Sequence, residues 1–109
     1  MSVQVSNGTT LVVTLVVNDE TVATVASGAN ETIPASRLPS APWRVEARSP
    51  SGRVLVSMTV HLGDVTVTSD GLRGVGSRVD LSCGRLDIWS GSPMIGPAPG
   101  SGSPGDCRP

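Results

Sequence analysis

Residues 43–60 read WRVEARSPSGRVLVSMTV, and this stretch decides the fold class. Trp43, Val45 and Ala47 alternate with Arg44, Glu46 and Arg48. After Ser49-Pro50-Ser51-Gly52, alternation resumes with Val54, Val56, Met58 and Val60. A period of two is the signature of a strand with one face in a core and one in water. Pro50 suits the second position of a tight turn and Gly52 the last. The unit is therefore a β-hairpin. Pairing Arg48 with Arg53 sets Ala47 opposite Val54, Val45 opposite Val56 and Trp43 opposite Met58. All the apolar residues then share one face, whereas a one-residue slip would mix the faces. A diagonal Glu46–Arg53 contact would relieve the Arg48–Arg53 repulsion.

The pattern extends outward in both directions. Residues 2–6 (SVQVS) alternate and lead into Asn7-Gly8, a strong turn signal. Residues 9–17 are the most β-prone segment, with Leu11, Val13, Leu15 and Val17 on one face and Val12, Thr14 and Val16 on the other. Both faces are largely apolar, as in a central strand or one covered on both sides. Asn18-Asp19-Glu20 reads as a turn, 21–26 as the partner strand, and Glu31-Thr32-Ile33 as a short edge piece. The prolines of 34–42 (PASRLPSAP) make that segment a crossover. Downstream, 61–64 reads as a loop, 65–68 as a short strand and 69–77, with three glycines, as a loop. Residues 78–89 alternate again, and the parity flip at Cys83-Gly84 predicts a bulge or tight turn. From Gly91 to Pro109, 10 of 19 residues are Gly or Pro, and no strand pattern remains. The expectation is an all-β domain over 1–90, a small antiparallel β-sandwich, immunoglobulin-like, or a barrel of 7–8 short strands. A Gly/Pro-rich tail, 91–109, folds back on it.

Composition narrows the function classes. The chain has 109 residues, 16 of them Val, with no Phe, Tyr or Lys and a net charge of -1. One domain is the limit at this length. The absent basic excess argues against nucleic-acid binding. No apolar run approaches the ~18 residues of a membrane span, so membrane insertion is not expected. The N-terminus shows no signal-peptide pattern. Two cysteines, Cys83 and Cys107, suggest a disulfide that would pin the tail and favour an extracytoplasmic site. Trp89, Met94 and Ile95 are candidates for packing between tail and sheet.

Two longer strings carry a resemblance. PSAPWRVEARSPSGRVLVSMTVHLGD and RVDLSCGRLDIWSGSPMIGPAPGSGSPGDC resemble the matching hairpin and ending of short bacterial proteins from GC-rich genomes. That likeness implies no particular activity. LVVNDETVATVASGANETI resembles the strand-turn-strand of bacterial immunoglobulin-like modules, with Asp19 where those place Gly.

The candidate chemistry is sparse. His61 has Asp64 and Ser57 nearby, without the G-x-S-x-G context of a nucleophile elbow. Asp80 and Asp87 alternate with Arg78 and Arg85, the arrangement of surface ion pairs. Asp19 with Glu20 and Asp64 with Asp70 lack the spacing of a calcium loop. GLRGVG, 71–76, lacks the ending of a phosphate loop. Asn7-Gly8-Thr9 and Asn30-Glu31-Thr32 are glycosylation sequons only in a glycosylating host. No catalytic, cofactor-binding or metal residue is assigned, and no cofactor is expected. The reading is a non-enzymatic structural or protein-interaction module that self-associates as a homo-oligomer or meets a protein partner. Arg44, Glu46, Arg48, Arg53 and Trp89 form its candidate interaction surface. The alternative is a ligand- or carbohydrate-binding sandwich using Trp43 or Trp89, and the third is a small hydrolase.

Overall fold

A computed structural model describes residues 2–61, 63–64, 66–68, 71–91 and 102–109, with side chains left aside at 66–68 and 71–73. Strands β1 (Ser2–Asn7), β2 (Val13–Val17), β3 (Glu20–Val25), β4 (Asn30–Pro34), β5 (Trp43–Arg48) and β6 (Val54–Val60) are followed by β7 (Thr66–Thr68), β8 (Gly71–Arg73), β9 (Val75–Leu81) and β10 (Gly84–Ser90). Eight of these form two antiparallel four-stranded sheets, ordered β4-β1-β10-β9 and β3-β2-β5-β6, while β7 and β8 pair as a separate hairpin. The fold is a small β-sandwich.

The inner faces explain why. Val3 and Val5 of β1, Val13, Leu15 and Val17 of β2, Val45 and Ala47 of β5, and Leu86 and Ile88 of β10 are all fully buried between the sheets. With so few aromatic side chains, valine supplies most of this core. Each buried branched side chain contributes about 1.5–3 kcal/mol. Trp43 is also inside, at 3% exposure, and its indole N–H donates to the Pro39 carbonyl at 2.7 Å. The proline-rich crossover thus satisfies the one polar atom that this large side chain takes into the core. β2 lies between β3 and β5, the central place expected of it, and Val16 on its outer face is only 4% exposed.

The 43–60 hairpin forms, but in another register. The structure pairs Trp43 with Val60, Val45 with Met58, Ala47 with Val56 and Arg48 with Val54, with an irregularity between Ala47 and Arg48. The predicted pairing is displaced by two residues in the strand body. Ser49 N–H donates to the Arg53 carbonyl and Gly52 N–H to the Ser49 carbonyl, at 2.8 and 2.9 Å, so Ser49 rather than Arg48 faces Arg53. Gly52, at φ +94°, supplies the left-handed residue that closes this turn. A two-residue shift returns every side chain to the same face, so alternation alone cannot detect it. The irregularity also turns Val54 outward, leaving it 45% exposed instead of on the core face.

Other expectations shift for similar reasons. Asn7-Gly8 is not a hairpin turn, because β1 and β2 belong to different sheets; it is the corner between them. Residues 9–12 bend around that corner, so the strand predicted over 9–17 begins at Val13. β8 and the start of β9 fall inside the predicted 69–77 loop. The parity flip at Cys83-Gly84 is a tight turn, and Leu81 pairs with Gly84 across it. Gly84 has φ +137°, and a Cβ there would collide with the Gly8 carbonyl, so only glycine fits this crossing. Asn18 and Asp19, at φ +51° and +68°, make the two-residue left-handed turn between β2 and β3, and they are residue types that tolerate it.

Candidate functional site

The candidate surface begins on the outer face of the β3-β2-β5-β6 sheet. Arg44 Nη2 lies 2.6 Å from Asp19 Oδ1 in the β2–β3 turn. The hydrogen bond that Arg44 donates to Asp19, and then the Asp19 charge, raise the Arg44 pKa above its ordinary value. Asn18 secures the same corner: its Oδ1 accepts from Arg44 N–H at 2.8 Å and its Nδ2 donates to the Pro42 carbonyl at 3.1 Å. Arg48 Nη2 pairs with Glu46 Oε1 at 2.7 Å along one strand. The expected Glu46–Arg53 contact is not made. Arg53 Nη2 instead donates to the backbone carbonyls of Asp106 and Arg108, at 2.5 and 2.7 Å. The hairpin turn points this guanidinium at the C-terminal tail. Arg44, Glu46, Arg48 and Arg53 are thus brought onto one sheet and its turn, each with a partner inside the chain.

The tail is the second feature. Cys83 and Cys107 form a disulfide with Cα atoms 6.1 Å apart. Asp106 reinforces it. One carboxylate oxygen accepts from Ser82 N–H at 2.9 Å and from Ser82 Oγ at 2.5 Å. The Ser82 hydroxyl, then its N–H, hold the Asp106 pKa below the ordinary carboxylate value. Residues 102–109 therefore touch the β9–β10 turn of one sheet and the β5–β6 turn of the other, and strap them together. Met94 and Ile95 lie outside the described residues.

Trp89 occupies the outer face of the other sheet, with Gln4 and Gly76 as its lateral neighbours in the ladder. It is partly buried, and its indole N–H is buried without a hydrogen-bond partner. On that face, Arg85 Nε lies 2.9 Å from Asp80 Oδ1 and Arg78 Nε 3.0 Å from Asp87 Oδ1, both directly across β9 and β10. The second pair is close but off the hydrogen-bonding direction, so its attraction is chiefly coulombic. These are the ion pairs that the Arg/Asp alternation predicts.

Comparisons with protein-family models, curated proteins and solved structures give no match.

His61 is exposed, and its own backbone N–H donates to Asp64 Oδ2 at 2.6 Å, while Nδ1 stands 3.5 Å from that oxygen. Asp64 thus closes the turn after β6. Ser57 is exposed on the outer face of β6. Asp19 is taken by Arg44, Asp70 lies outside the described residues, and no metal-ligating cluster occurs among those described. No described helix is long and apolar enough to cross a membrane.

Sequence reasoning missed the most connected polar side chain among the described residues. Asn7 is 1% exposed; its Nδ2 donates to the carbonyls of Leu11, Val25 and Ala26, at 2.8, 3.1 and 3.2 Å. Its Oδ1 accepts from Thr9 N–H at 3.1 Å and Thr9 Oγ at 2.6 Å. Asn7-Gly8 signals a turn in the sequence, yet the Asn-x-Thr spacing serves this buried corner. Burial also withholds the first sequon from modification in the folded state.

Proposed function

We propose that the protein is a non-catalytic β-sandwich module that works through protein–protein contact, self-association included. The observation that carries this reading is the internal pairing of the charged groups on both outer faces, Arg44–Asp19, Arg48–Glu46, Arg78–Asp87 and Arg85–Asp80. Groups so engaged support a rigid surface and leave strand edges and apolar positions such as Val54 for contact. The strap favours an oxidising compartment, where disulfides persist. The immunoglobulin-like and bacterial likenesses belong to this reading at the level of a two-sheet module. Sedimentation velocity from micromolar to millimolar protein tests it: a concentration-dependent dimer or oligomer is expected, and a monomer throughout counts against it.

A second reading, a carbohydrate- or ligand-binding face, draws on Trp89 and its unpartnered indole N–H. Trp43 is in the core and offers no stacking platform. Titrating Trp fluorescence with glycans tests this: a saturable change abolished in Trp89→Ala supports it, and no change removes it.

A further inference from the structure

The strap over residues 102–109 is held differently from the rest of the described chain. None of its residues belongs to the hydrophobic core, and none is buried: Gly102, Asp106 and Cys107 are partly covered and the others are exposed. It joins no strand ladder. Its own backbone bonds are local, from Asp106 N–H to the Ser103 carbonyl at 3.2 Å and from Arg108 N–H to the Gly105 carbonyl at 3.4 Å. A segment without apolar burial or a ladder has little to offset the entropy of ordering it.

Its contacts with the sandwich are the disulfide and a few polar bonds at the surface. Asp106 accepts from Ser82, Arg53 Nη2 donates to the Asp106 and Arg108 carbonyls, and Cys83 N–H donates to Cys107 Sγ at 3.1 Å. Hydrogen bonds exposed to water contribute little net hold, because water replaces them when they open. The covalent link is therefore what keeps the strap in place. Cys83 sits in the tight turn between β9 and β10, and both cysteines are only partly buried, within reach of a thiol.

We propose that the Cys83–Cys107 disulfide is a redox latch: a dithiol reductant opens it and frees residues 102–109, while the sandwich beneath stays folded. A thiolate of the reductant attacks Cys83 Sγ, the S–S bond breaks, and its electron pair goes to Cys107 Sγ. Cys107 is the sulfur that leaves, because the Cys83 N–H is already aimed at it and stabilises the thiolate formed there. The second thiol of the reductant then displaces Cys83. The reductant ends as a disulfide, and its two protons end on the two cysteines. Opening returns the Arg53 guanidinium and the Ser82 N–H and hydroxyl to the surface, where the β5–β6 and β9–β10 turns carry them. The latch goes beyond the interaction reading and does not depend on self-association.

The test is hydrogen exchange on the oxidised protein, on the protein in excess dithiothreitol at neutral pH without denaturant, and after reoxidation. Thiol titration follows the bond, and the near-ultraviolet circular dichroism of Trp43 follows the core. Both thiols are expected to appear. Exchange at the Ser82 and Cys83 amides, whose acceptors are Asp106 and Cys107, is expected to accelerate by at least about tenfold. The amides of β2, β5 and β10 and the Trp43 signal are expected to hold, and reoxidation should restore the slow exchange. Oxidised Arg53→Ala is expected to keep the Cys83 amide protected. Three results would overturn the latch. The disulfide resists reduction until the sandwich is unfolded in urea, reduction abolishes the Trp43 signal, or the Ser82 and Cys83 amides stay protected once both thiols are free. Loss of Cys83 protection in oxidised Arg53→Ala would likewise assign the hold to the guanidinium and not to the disulfide.

Discussion

Asn7→Asp is nearly isosteric, so it tests the buried corner without changing its volume. In the native protein, Nδ2 serves the carbonyls of Leu11, Val25 and Ala26 while Oδ1 accepts from Thr9. Aspartate keeps the Thr9 side of this network. It replaces the donors with an oxygen that faces carbonyl oxygens at a 1% exposed position. The orphaned carbonyls and the buried, poorly compensated charge together cost about 3–5 kcal/mol at neutral pH, a large share of the ~5–15 kcal/mol of a typical domain. A protonated carboxyl recovers one donor, so roughly half of that loss returns in acid. Burial among carbonyls raises the native pKa of this carboxyl above its unfolded value near 3.9. The variant is therefore closest to the parent below about pH 4, and it falls behind as pH rises through the native pKa. Urea unfolding followed by the fluorescence of the buried Trp43, with parent and variant compared at each pH, reads the difference directly. A loss below about 1 kcal/mol at pH 7, or an equal loss at pH 3 and pH 7, would refute the account of Asn7 as the donor at this corner.

The remaining expectations concern the strap and the glycine crossing. Opening the disulfide by Cys83→Ser with Cys107→Ser frees a link that spans 24 residues, and costs about 3 kcal/mol by loop closure. At ~4–8 °C per kcal/mol the melting temperature falls by more than about 10 °C, and calorimetry showing a drop under about 4 °C would contradict this. Asp106 has a lowered pKa, so its hold on Ser82 is complete above the unfolded carboxyl value of 3.8 and is lost as pH falls through the native value. Hydrogen exchange at the Ser82 amide should accelerate in acid beyond its intrinsic trend, and Asp106→Asn should flatten that response. Gly84→Ala, at φ +137° and against the Gly8 carbonyl, should cost more than about 3 kcal/mol, whereas Gly28→Ala, at φ +76° in open space, should cost about 1. Equal losses in urea unfolding would show that the crossing is not the constraint.

What the sequence made legible follows from which rules are local. Alternation in 43–60 and 13–17 assigns faces because side-chain direction in a strand depends only on the residue's parity. It leaves the register open by two residues, which the Ser49 turn decides through its hydrogen bonds to Arg53 and Gly52. The Arg78–Asp87 and Arg85–Asp80 pairs were legible because a tight turn at Ser82-Cys83 makes close neighbours in sequence into partners in space. Arg53 was not: its acceptors are backbone carbonyls at 106 and 108, and carbonyls carry no residue-type signal. Asn7 misled for a related reason. Asn-Gly marks a place where the chain changes direction, but not whether it returns to the same sheet or crosses to the other.

That distinction bears on how a valine-built sandwich stays specific. Valine side chains are similar in shape, so a core made of them discriminates weakly between neighbouring registers. The polar groups restore the distinction at the ends of the strands. Asn7 fits only where three carbonyls converge, Gly84 only where it crosses Gly8, and Asp106 only over the Ser82 amide. Each of these fixes one corner, so the ends of the strands set the register that the valine core between them leaves weakly determined.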